Sequence, residues 1–131
     1  MAEEVSLEQL ENDAWGPAPD DATGLMRTVH ALRAKPIGQL TPGDVRVLLG
    51  QREGIDVLTP RALAMLQEEP LLEASYYPGD LLVAVLSLPR SYWSAEPNWY
   101  AIAKQVIANV RFAGHDDHSA RTVKEAIEAF D

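Results

Sequence analysis

The sequence predicts an all-α protein, a compact bundle of about six to eight short helices. Apolar residues recur at i, i+3, i+4 and i+7 spacing. Helix start and stop signals recur around nine prolines. No stretch alternates apolar and polar residues as a half-buried strand does. At 131 residues, 47% hydrophobic and 24% charged, residues 1–131 fit one domain whose core needs no metal or disulfide staple.

The first helix opens at Ser6, an N-cap with Gln9 at the third helical position, and is expected over about Leu7 to Asp13. WGPAPDD at 15–21 reads as an extended connector, because Pro17 and Pro19 each remove a donor and restrict the preceding residue. Leu25, Val29 and Leu32 then mark the core stripe of a helix from about Thr23 to Ala34, stopped by Lys35-Pro36. Leu-Thr-Pro occurs twice, at 40–42 and 58–60. Each copy offers a Thr N-cap followed by a proline with helical φ, so two helices of about ten residues are expected, the second ending at Glu69-Pro70.

LLVAVLSL at 81–88 is bounded by Pro-Gly and Pro. An apolar run of this length suits a buried strand or a buried helix, and its leucine and alanine content favours helix. Being apolar nearly all round, it is expected at the centre of the bundle. After a short turn of helix at PRSYW, a longer amphipathic helix is expected from about Asn98 to Phe112, and a last one from about Ser119 to Phe130. Asp116 and Asp117 lie near the positive end of the last helix dipole.

The absence of cysteine excludes disulfides, thiolate metal sites and a cysteine nucleophile. The longest apolar run, Leu81 to Leu86, is far short of the roughly 20 residues that span a bilayer. The acidic N-terminus MAEEVSLEQLE lacks the basic and apolar regions of a secretory signal, so a cytoplasmic location is expected. Eleven basic against 20 acidic residues give a net charge of −9, which opposes direct nucleic-acid binding and favours a basic partner. The excess is uneven: residues 1–21 carry seven acids and no base, and residues 62–89 four acids and no base.

Equipment for catalysis is sparse, and no enzyme activity, cofactor or metal is expected. His115-Asp-Asp-His118 is the one cluster resembling a metal or acid/base site, and a hydrolase built on it is one reading. The competing one is helix capping, since Asp, His and Ser suit a helix start. His30 has no acidic or serine neighbour in sequence. Gly50-Gln-Arg-Glu-Gly54 lacks the spacing and lysine of a phosphate-binding loop and reads as a helix end. Tyr76 and Tyr77, on a connector after Glu68, Glu69 and Glu73, either pack inward or form a protein-binding surface with those carboxylates. These five residues form the candidate partner interface, and Asp20 and Asp21 form a second patch.

The segment LRAKPIGQLTP, the Gly50-Gln51 pair, EEPLLE at 68–73 and YYPGDLL at 76–82, in this order and spacing, resemble the immunity proteins of bacterial contact-dependent growth inhibition systems. The likeness covers about residues 6–93 and leaves the helices of 98–131 unmatched. It implies a small cytoplasmic, non-enzymatic protein that binds the C-terminal toxin domain of a cognate effector. Such toxins are commonly nucleases, so an acidic inhibitor would cover a basic active site. An acidic helical adaptor for another basic protein is the alternative.

Overall fold

The computed structural model describes residues 2–130. Among them are eight α-helices and no strand, the all-α architecture expected. The helices are α1 (Leu7–Glu11), α2 (Gly24–Ala34), α3 (Pro42–Gly50), α4 (Ile55–Glu68), α5 (Asp80–Leu86), α6 (Arg90–Ala95), α7 (Pro97–Ala108) and α8 (Asp117–Phe130). Short 3₁₀ turns cover Ala2–Glu4 and Ile37–Gln39.

Residues 81–88 form a buried helix with its following turn. Leu81, Leu82 and Val85 of α5 are fully buried, and the helix packs against α3, α4 and α8. Val45, Leu63 and Val106 also belong to this core. Trp93, Tyr100 and Phe130 close its far end, with the Phe130 ring stacked on Tyr100 and edge-on to Trp93, each at 5.2 Å.

Side-chain caps mark the starts of α1, α2, α3 and α8. Ser6 and Gln9 form the reciprocal box at α1, and Thr41 and Asp44 form one at α3. Burial works against the charge on Asp44, but the Thr41 N–H and the Lys35 ammonium at 3.0 Å hold its carboxyl below the usual range.

Local signals misplace four features. The second Leu-Thr-Pro does not open a helix: α4 begins at Ile55 behind Gly54, Thr59 is buried inside it, and Pro60 sits in its second turn. Gly54 adopts a left-handed φ of 65°, and a Cβ there would lie 2.7 Å from Leu7. A glycine thus starts α4 one turn early and lets α1 pack on it. Leu25 is 47% exposed, because the first turn of α2 lies largely in solvent. The deeply buried face of α2 is Val29, Leu32 and Arg33. α1 stops at Glu11, where Asn12 takes a left-handed cap. α7 stops at Ala108, with Val110 and Phe112 packed on the core from the following loop.

Arg33 is wholly buried yet charged. Its Nη1 donates to Glu11 at 2.6 Å and to Glu53 at 2.9 Å, and its Nη2 donates to the Asp13 carbonyl at 2.8 Å. The Trp15 ring lies 4.4 Å from the guanidinium. Burial alone would favour proton loss, but the surrounding carboxylates outweigh it and raise the pKa of the guanidinium. One cation therefore ties residues 11–15 to α2 and to the α3–α4 turn.

Candidate functional site

The connector from α4 to α5 begins where Pro70 forces Glu69 into extended backbone, at φ −144° and ψ 92°. Leu71 and Leu72 pack on the core. The chain then turns outward, and its N–H groups lose helical partners. Asp80 replaces them. Its Oδ1 accepts from Ala74 N–H at 2.7 Å, and its Oδ2 accepts from Ser75 and Tyr76 at 2.9 and 2.8 Å.

Asp80 is only 4% exposed. Burial disfavours its charge, yet the three N–H groups and Arg46, 3.9 Å away, hold its carboxyl below the ordinary carboxylate range. An isolated antiparallel bridge between Glu73 and Pro78 narrows the loop. Both flanks are tight. A Cβ on Gly79, whose φ is +93°, would lie 2.5 Å from Val123 of α8, and one on Gly43 of α3 would lie 3.1 Å from the Ala74 carbonyl. The loop is thus a rigid projection clamped between α3 and α8.

The sequence-predicted residues divide on this frame. Glu68, Glu69 and Glu73 are exposed, and Tyr76 is 76% exposed. The Arg46 guanidinium lies 4.8 Å from the Tyr76 ring and fixes its orientation. Tyr77 packs partly on the core, where burial and then the Asp80 carboxylate push its phenol above the ordinary value. Glu73, Tyr76 and Tyr77 share one loop, and Glu68 and Glu69 stand at the start of the connector. Asp20 and Asp21 are exposed on a different segment, the extended stretch before α2, where the Asp20 carbonyl accepts from Arg27 at 2.6 Å.

Sequence reasoning missed Arg46 and the anchoring role of Asp80. The signal for Asp80 was available: a connector of about ten residues outside any helix needs acceptors for its N–H groups, and Asp80 is the first carboxylate after it.

The His115–His118 segment caps a helix: Asp116 accepts from Ser119 N–H at 2.9 Å, which lowers the Asp116 pKa. Among the described residues, no group of three or more histidines and carboxylates is placed to hold a metal ion.

No curated protein matches the chain, and no solved structure matches it. The family model described as CDI immunity proteins does match, over residues 9–102. This span runs from α1 well into α7 and contains the whole α4–α5 connector. Because the match covers well over half of the sequence, the chain belongs to the CDI immunity proteins.

Proposed function

We propose that this immunity protein acts by binding, without catalysis, to the C-terminal toxin domain of a cognate contact-dependent growth inhibition effector in the cytoplasm. The contact is the acidic α4–α5 connector, and it covers a basic, nuclease-type active site. The observation that carries this reading is the exposure of Glu68 at the end of α4 and of Glu69, Glu73 and Tyr76 along the connector that follows, part of whose backbone is fixed by Asp80. A preformed loop loses little conformational freedom on docking, so more of the contact energy appears as affinity. The net charge of −9 steers a basic partner inward and repels nucleic acid. Among the described residues no helix is long and apolar enough to cross a membrane.

Co-expression with the toxin domain encoded beside it should restore growth, and continued arrest would overturn the proposal. Replacing Glu68, Glu69 and Glu73 together by Lys should leave the helical spectrum intact. Toxin affinity should fall roughly 100-fold or more, from lost attraction and new repulsion. Unchanged affinity in the triple variant would move the contact to Asp20 and Asp21.

A further inference from the structure

Beneath Tyr76, between α3 and α5, lies a cleft of about 250 Å³ whose walls include Arg46, Arg52, Tyr76, Tyr77, Val83 and Ser87. It carries the opposite charge from the molecule as a whole. Two arginines line one concave surface of a chain with net charge −9. Their one carboxylate partner among the described residues is Asp80, 3.9 Å from Arg46, and Asp80 already accepts three loop N–H groups.

Arg46 is held by its neighbours. Its Nε donates to Ser75 Oγ at 3.0 Å and its plane lies over Tyr76, while no hydrogen bond among the described residues engages its terminal nitrogens. A fixed guanidinium with free terminal N–H groups matches the two oxygens of a carboxylate.

Arg52 is the second indication. Its left-handed φ of 61° is the cap that ends α3, as the sequence predicts for this segment: the Arg52 N–H donates to the Leu49 carbonyl at 3.0 Å and the Glu53 N–H to the Leu48 carbonyl at 2.9 Å. Its Nη2 lies 3.4 Å from the Ser87 carbonyl at the end of α5, so the side chain reaches to the opposite wall. The cap accounts for the backbone, and what bears on binding is the side chain it carries, a cation on the cleft wall that reaches across to α5.

We infer that this cleft is a carboxylate receptor, which takes one aspartate or glutamate side chain of the toxin between Arg46 and Arg52, with Tyr76 against it. The inference rests on the toxin-binding reading above and deepens it. A nuclease-type site places carboxylates that act on phosphate among bases that hold it. The acidic connector beside a cationic cleft is the complement of that pattern. A nucleic-acid strand is disfavoured, because Glu73 on the adjoining loop and the net charge repel a chain of phosphates.

The test uses the full chain and the neighbouring toxin domain, with affinity read by calorimetry and folding by circular dichroism. Arg52→Gly removes the cation and relaxes the backbone, so the melting temperature should hold or rise while affinity falls about tenfold. Arg46→Gln with Arg52→Gly should lose about 100-fold. Among single Asp→Asn and Glu→Gln changes in the toxin domain, one should match the Arg46→Gln loss and add nothing when combined with it. Arginine variants that bind within threefold of wild type overturn the cleft alone, and so does the lack of any coupled toxin carboxylate. Binding of a short DNA duplex by wild type, lost in the variants, would make this a phosphate site and also overturn it. A wild-type protein that does not bind the toxin overturns both this inference and the reading it rests on.

Discussion

Replacing Asp80 by Asn tests whether one carboxylate holds the α4–α5 loop. Asp80 is 4% exposed and accepts three N–H groups at 2.7 to 2.9 Å. Asparagine offers one oxygen. Placed at the Oδ2 position it keeps Ser75 and Tyr76, but its amide nitrogen then faces the Ala74 N–H, donor against donor. A charge-assisted bond is worth about 1.5–3 kcal/mol, and the two that survive weaken once the charge is gone. Allowing for water at the exposed Ser75 and Tyr76, the loss should be about 3 kcal/mol, a large share of a typical total of about 5–15 kcal/mol.

Urea denaturation followed by tryptophan fluorescence measures it, and pH supplies an internal control. The Asp80 pKa is lowered in the folded protein, against burial, by the loop N–H groups, and lies near about 3.9 when unfolded. Its contribution is therefore fully present well above pH ~4 and is lost as pH falls through the folded value. The gap between wild type and Asp80→Asn should narrow in that acid range. A gap under about 1 kcal/mol at neutral pH, or one that stays constant down to pH ~3, would refute the assignment.

Val85→Asp should abolish the cooperative unfolding transition, because an unpaired carboxylate at a fully buried position of α5 costs several kcal/mol. A variant with a native-like melt would displace α5 from the centre of the core. Arg33→Met should destabilise by about 2–3 kcal/mol, below the usual cost of breaking a buried pair because water can reach the carboxylates left behind. Glu11 and Glu53 have side chains 37% and 25% exposed. Chemical denaturation with a loss under about 0.5 kcal/mol would mean that Arg33 is an incidental passenger.

The helices were legible where local chemistry decides them. Ser6 with Gln9 and Thr41 with Pro42 mark starts that the structure reproduces, because a cap is satisfied within four residues of itself. The second Leu-Thr-Pro reads identically over three residues but lies inside a helix, since Gly54 supplies an earlier start and the core takes Leu58 and Thr59 together. The packing of α1 against Gly54 and the burial of Thr59 separate the two copies. The exposed acids and Tyr76 were legible from charge and connector position. The cleft was not: Arg46 and Arg52 lie 34 and 28 positions before Asp80, and their meeting depends on how α3 packs on α5.

The buried Arg33 gives the protein a separable latch. Residues 13–21 lie outside any helix, and their tether to the bundle includes the Asp13 carbonyl and Trp15 ring at one guanidinium. The tethered stretch is expected to open without exposing α5, as a low-energy opening unit of its own. Amide exchange along it should outrun exchange in the bundle by orders of magnitude. A protease should nick it in a protein that is still folded, at a rate set by the local contacts that hold it, His30 at the Gly16 carbonyl and Arg27 at the Asp20 carbonyl among them, and not by global stability. Because Asp20 and Asp21 ride on the same stretch, any partner gripping them would also close the latch and show its binding as slowed exchange far from the α4–α5 loop.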